Sequence, residues 1–240
     1  MTYLDFDRLE SLDDAAFRAA KPYPWINPAK ALTDDGYERL RRTLPNSDRF
    51  EQLFGVKRSY GQQSHDRHAL DWRPSLDLEQ PWRDFVAELH GPRYQAFLRR
   101  MFGRGRLALS LHWHYTPRGS SVSPHCDARR KLGSHIFYFN TVEDWDTSWG
   151  GETLILDDNG RFDAKSAPRF DDFDRAMPAH SIGNHSLLFA RRERSWHGVR
   201  EIQCPEGSFR KVFIVAINDR LLTSADRTWR RLRGKRVSAY

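Results

Sequence analysis

Leu107-Ala108-Leu109-Ser110-Leu111-His112-Trp113-His114-Tyr115-Thr116 is the stretch whose reading decides the fold class. Bulky residues recur at every second position, with Ala108, Ser110, His112, His114 and Thr116 between them, the pattern of a strand with one apolar face. Short strand-like runs follow at His135–Asn140, Glu152–Leu156, Ser186–Ala190 and Phe209–Ile217. Turn chemistry separates them at Pro117-Arg118-Gly119, Gly150-Gly151, Asp158-Asn159-Gly160 and Gly183-Asn184. Short strands punctuated in this way predict a mainly β protein, a sandwich or jelly roll over residues 104–219, rather than a parallel α/β sheet. The polar stretch 161–178, dotted with aromatics, reads as an irregular insertion at the rim of that barrel.

Upstream of Gly103 the apolar period lengthens toward 3.6. Leu4, Leu9, Leu12 and Phe17 keep rough helical spacing, and Thr33-Asp34-Asp35 reads as a capped helix start before Tyr37, Leu40 and Leu44. Pro81 opens a stretch carrying Trp82, Phe85, Val86 and Leu89. Gly91-Pro92 breaks it, and Tyr94, Phe97, Leu98 and Met101 resume a second helix. Residues 1–103 are therefore expected to be a helical or mixed region packed on the β core, and the 240 residues to form a single domain with a basic tail at 220–240.

Composition narrows the class further. With 39 % hydrophobic and 13 % aromatic residues, the chain is too aromatic for disorder. No apolar run reaches the roughly 20 residues that span a bilayer. Five acids before Phe17 argue against a signal peptide, and two cysteines, Cys126 and Cys204, exclude a disulfide framework. A cytoplasmic globular protein is expected. Of the net charge of +7, an excess of +5 lies between Asp219 and Tyr240, which carries Arg227, Arg230, Arg231, Arg233, Lys235 and Arg236. The near-neutral body argues against a broad phosphate-binding face, so nucleic acid is disfavoured as a partner.

Pro124-His125-Cys126-Asp127 carries the chemistry. In an extended chain His125 and Asp127 project from one face, an imidazole beside a carboxylate. His197, in Ser195-Trp196-His197-Gly198-Val199, is the best-placed third ligand from another strand. Two histidines and one carboxylate make the facial triad of non-haem Fe(II) oxygenases, with positions left open on the metal. Arg210 shares its strand face with Val212, Ile214 and Ala216, a costly place for a guanidinium unless an anion compensates it, and a carboxylate fits it best. Lys211, on the opposite face, is the alternative.

In these residues the chain resembles the 2-oxoglutarate- and Fe(II)-dependent oxygenases, specifically the prolyl-hydroxylase-like branch. The resemblance runs from about Leu107 to Asp219, through Tyr115, His125, Asp127, Tyr138-Phe139-Asn140, Gly150-Gly151-Glu152, His197-Gly198-Val199, Arg210 and Asn218-Asp219. It implies a double-stranded β-helix in which His125, Asp127 and His197 bind Fe(II). It also implies that Arg210 holds the distal carboxylate of 2-oxoglutarate, assisted by hydroxyls of Tyr138 and Tyr115. The function implied is a dioxygenase using O2 to hydroxylate a small-molecule, sugar-containing or peptidyl substrate, releasing succinate and CO2. The alternatives are a non-catalytic metal-binding jelly roll contacting an anionic polymer, and a nucleic-acid demethylase of the same superfamily.

Other polar residues have plainer readings. His112 and His114 share a face but lack a nearby carboxylate in Tyr115–Ser123, so they read as structural or pocket-lining. His135, His180 and His185 read as hydrogen-bonded structural groups, Cys126 as pointing away from its neighbours, and Trp145 and Trp149 as turn-packing or substrate-stacking. Arg129, Arg130 and Lys131 lie where a pocket mouth should be and would attract an anionic substrate, or else form a solvated turn. The segment Arg58–His68 is rich in polar-ligand groups and reads as a cover for the site or an ordinary loop.

Overall fold

A computed structural model describes residues 2–105, 107–221 and 223. Apart from residues 220, 221 and 223, the expected basic tail lies outside the described residues. In chain order the elements are α1 (Phe6–Glu10), α2 (Asp14–Ala19), β1 (Trp25–Ile26), α3 (Asp34–Arg42), β2 (Glu51–Leu53), β3 (Arg67–Asp71), α4 (Gln80–His90) and α5 (Pro92–Phe102). The β-half follows with β4 (Leu107–Pro117), β5 (Val122–His125), β6 (Lys131–Tyr138), β7 (Leu154–Asp157), β8 (Arg175–Pro178), β9 (Ser186–Ala190), β10 (His197–Val199) and β11 (Phe209–Asp219).

Two antiparallel sheets result, one ordered β1-β9-β6-β11-β4-β3-β2 and the other β5-β10-β7-β8. This is the expected mainly β jelly roll with helices packed on it. The N-terminal region does more than supply helices, because β1 caps one edge of the larger sheet and β3 and β2 extend the other. The stretch 161–178 is mostly irregular, yet its last residues form β8 beside β7.

Local signals explain the helices. The Thr33 hydroxyl accepts from the Gly36 N–H and caps α3, while prolines near their N-termini start α4 and α5 where a missing N–H costs nothing. The buried stripe of α4 (Trp82, Phe85, Val86 and Leu89) and that of α5 (Tyr94, Phe97, Leu98 and Met101) face the larger sheet. There Trp113 of β4 and Phe213 of β11 pair directly across the ladder with ring centroids 4.8 Å apart. Trp82 meets Trp113 edge-on at 5.0 Å, an aromatic arrangement worth more than its buried area alone. This core fixes one face of the sheet and leaves the other turned toward the second sheet.

Candidate active site

Between the two sheets lies a cavity of about 340 Å³. The larger sheet contributes Thr116, His114 and His112 from β4, Arg210, Val212, Ile214 and Ala216 from β11, and Ser134 and Ile136 from β6. The smaller sheet contributes the functional trio. β5 and β10 pair so that His125 stands directly opposite His197, with ring centroids 4.3 Å apart. Asp127 lies just beyond the end of β5 rather than within an extended strand, but one donor atom from each of the three falls within 4.8 Å of the others.

Hydrogen bonding prepares this trio for a cation. The Nδ1 atoms of His125 and His197 lie 3.0 Å from the carbonyls of Ser123 and Ser195. A carbonyl can only accept, so each Nδ1 carries the proton and each Nε2 keeps its lone pair, the tautomer a metal needs. Burial disfavours the imidazolium at both rings and keeps them neutral. Burial also pushes the Asp127 carboxyl up, but the Lys131 ammonium, whose Nζ sits 2.8 Å from Oδ1, pulls it down. The group is thereby held below the usual carboxylate range. Two neutral nitrogen donors and one anionic oxygen donor fit a divalent ion such as Fe(II).

Gly198 has a steric reason. A Cβ there would meet the Val122 carbonyl at 2.6 Å and the Phe170 ring at 2.9 Å, so a larger residue would push β10 away from β5 and separate the two histidines.

Arg210, which lines the same cavity, is 6 % exposed. Its Nε donates to the Gly151 carbonyl, its Nη2 donates to Thr153 Oγ1 at 3.0 Å, and its guanidinium lies 5.6 Å from the Tyr138 ring centroid. Tyr138 also donates to Thr153 Oγ1, at 3.0 Å. Thr153 thus accepts twice, and its own hydroxyl proton is left to donate toward an anion. Gly151 adopts φ +99°, a conformation that side chains resist, and so turns its carbonyl toward Arg210. Lys211 points to the opposite face and pairs with Asp144 at 2.9 Å.

Tyr115 is a correction. It was expected beside the cosubstrate, but its hydroxyl donates to the Pro45 carbonyl at 2.9 Å and its ring stacks on Phe50, in the helix-side core. The pleat forces this, since Tyr115 shares a face with Leu111 and Trp113, whereas Thr116, directly opposite Arg210, faces the cavity. Thr153, Thr116 and the Gly151 carbonyl were missed as site groups. The Gly150-Gly151-Glu152-Thr153 run was the available signal for two of them.

The remaining expectations resolve as follows. His112 and His114 line the cavity, and His112 Nδ1 pairs with Asp71 at 2.9 Å. His135 is structural, bridged between the Tyr94 hydroxyl and Ser186 Oγ, and His185 bonds the Ile182 carbonyl. Cys126 packs against the Leu156–Trp196 cluster, and burial pushes its thiol up to about 12. Trp145 packs on its turn, donating to Gly150 O. Arg58 and His65, from the polar segment before β3, and Arg67, the first residue of β3, do reach the cavity wall.

The profile of the 2OG-Fe(II) oxygenase superfamily matches residues 111–217, which contain His125, Asp127, His197 and Arg210. That match makes the β-half similar to the 2OG-Fe(II) oxygenases over somewhat less than half of the chain. Enzymes of that superfamily use Fe(II), 2-oxoglutarate and O2. No curated protein matches the chain. Among solved structures it is similar to a prolyl-4-hydroxylase from Pseudomonas putida, with 14 % identity, TM-score 0.60, and coverage of 86 % of this chain and 98 % of that one. It is also similar to a Trichoplax adhaerens prolyl hydroxylase in complex with a hypoxia inducible factor peptide, with 15 % identity, TM-score 0.59, and coverage of 89 % and 90 %. A third similar structure is the non-heme alpha ketoglutarate dependent carbocyclase of nogalamycin biosynthesis, with 13 % identity, TM-score 0.59, and coverage of 88 % and 86 %. At these identities the likeness is one of fold. Among the described residues, no helix is long and apolar enough to cross a membrane.

Proposed function

We propose that this chain is an Fe(II)- and 2-oxoglutarate-dependent hydroxylase of a small molecule, a sugar-containing metabolite or a peptidyl side chain, releasing succinate and CO2. The observation that carries this reading is the convergence of His125, Asp127 and His197 in a cavity that Arg210 also lines. His125 and His197 would hold the iron through Nε2 and Asp127 through its carboxylate. When bound, iron and 2-oxoglutarate supply the oxidising power drawn from O2.

The chain's own residues bind and orient. The carbonyls of Ser123 and Ser195 hold the two imidazoles in one tautomer, and Lys131 keeps Asp127 anionic. Arg210 would present its guanidinium to the distal carboxylate of 2-oxoglutarate. Tyr138 steadies it through the shared Thr153 hydroxyl, and Thr153 donates its own proton to the same group. Phe189, Val199, Val212 and Ile214 supply apolar wall that excludes water from the reacting centre. Asp127 stands where halide-transferring members of the superfamily need a small residue, so the product is expected to gain oxygen rather than chlorine. Two free thiols, Cys126 and Cys204, suit a cytoplasmic setting.

Anaerobic addition of 2-oxoglutarate to the Fe(II)-loaded protein tests the reading. A weak visible charge-transfer band is expected, lost in His197→Ala and Asp127→Ala along with stoichiometric metal binding. A metal-loaded wild-type protein that shows neither this band nor any succinate release in air would overturn it.

A further inference from the structure

Cationic side chains outnumber carboxylates among the residues that line the cavity. Its lining holds five cations (Arg58, Arg67, Arg130, Lys131 and Arg210) and, among the described residues, one carboxylate, Asp127. Lys131 is paired with Asp127, and Arg210 serves the cosubstrate in the reading above.

Arg58 and Arg67 line the cavity together with His65, whereas Arg210 stands beside Thr153. Arg58 is partly buried there, and its Nε is fully buried with no hydrogen-bond partner among the described residues. Arg67 stands near it, its Nη1 donating to the His65 carbonyl at 2.6 Å, which anchors that guanidinium at the wall. Burial disfavours the charge on Arg58, and the neighbouring Arg67 disfavours it further, against a smaller favourable pull from Asp127. His65 lies between this pair and the trio, its ring 4.4 Å from that of His125 and its Nε2 3.2 Å from Ser123 Oγ. A desolvated guanidinium with an unused donor, beside a second of like charge, is a costly arrangement that an oxyanion relieves by accepting from both.

We propose that Arg58, with Arg67 beside it, receives an oxyanion group, a carboxylate or a phosphate, carried by the substrate. The group would anchor the substrate beside His65 and leave its remainder across the iron trio. The inference rests on the proposed function in one respect, the assignment of Arg210 to 2-oxoglutarate.

Calorimetric titration of inorganic phosphate and, separately, of benzoate into protein saturated with Ni(II) and 2-oxoglutarate tests it. At least one anion is expected to bind saturably. Arg58→Gln and Arg67→Gln should each weaken it by about tenfold or more while leaving 2-oxoglutarate affinity within about twofold, which also shows that the variants fold. Arg58→Lys should restore part of the loss, and rising salt should weaken binding. Tighter phosphate binding assigns a phosphorylated substrate, and tighter benzoate binding a carboxylated one. The proposal is overturned if neither anion binds the wild type, or if both glutamine variants bind as the wild type does. Failure of the underlying reading looks different: 2-oxoglutarate would not bind, Arg210→Ala would change nothing, and the anion would still depend on Arg58.

Discussion

The two faces of β4 sit one residue apart in sequence and do opposite work. Leu111, Trp113 and Tyr115 pack into the aromatic core under α4 and α5, whereas His112, His114 and Thr116 line the cavity. The same division runs through β11, where Phe213, Val215 and Ile217 face the helices while Arg210, Val212 and Ile214 face the site. One sheet thus keeps stability and chemistry on separate sides. The cavity can hold buried histidines and an arginine because the other side supplies the burial energy.

If the division is real, substitutions on the two faces should have separable effects. The largest is expected on the helix side. Trp113→Ala removes a fully buried ring from the Trp82–Phe213 contact and should cost about 3–5 kcal/mol of stability by denaturant unfolding. A cost below about 1 kcal/mol would mean that this face is not the main core.

Arg210→Ala, on the cavity side, should weaken 2-oxoglutarate binding by about 2–5 kcal/mol, read by titration of the charge-transfer band. Lys211→Ala, one residue away on the other face, should leave that affinity unchanged. The reverse result would invert the assignment of faces.

His135 sharpens the comparison because it is a titratable group on the helix side. Burial pushes it down to about 3, against about 6.5 when unfolded. Between those values the unfolded chain binds the proton and the folded chain does not. Stability should therefore fall as pH drops below about 6.5 and level off near 3. Urea unfolding from pH 7 to 5 should show His135→Gln losing about one proton's worth of that slope relative to wild type. An unchanged slope would mean that His135 is not buried neutral.

The smallest effect separates the two tyrosines. Tyr115→Phe should cost about 0.5–1.5 kcal/mol of stability by losing the Pro45 bond, with cosubstrate affinity intact. Tyr138→Phe should weaken 2-oxoglutarate binding by a similar amount, by freeing Thr153 and loosening Arg210. Equal effects of both on cosubstrate affinity would erase the distinction.

Much of this was legible in the chain. The alternation of residues 107–116 predicted β4, and the run from Phe209 predicted β11 and the inward face of Arg210. The histidine–carboxylate spacing at 125 and 127 and the separate His197 pointed to three residues that the fold does bring together. Tyr115 shows where such reasoning divides. The alternation grouped it with Leu111 and Trp113, family resemblance put it at the cosubstrate, and the structure follows the alternation.

By itself the sequence determined which residues share a face, because the two-residue repeat of a strand is a local property of the backbone. It also determined the kinds of donor available, through the identities of His125, Asp127, His197 and Arg210. Only the tertiary structure decided which face would be covered by helices and which would look into a cavity. That choice depends on how the apolar stripes of α4 and α5 dock against β4 and β11. It likewise decided that Arg58 and Arg67, about sixty residues before the metal-site candidates, stand at the same wall. Spacing along a chain carries no record of distance through space once a sheet folds over on itself.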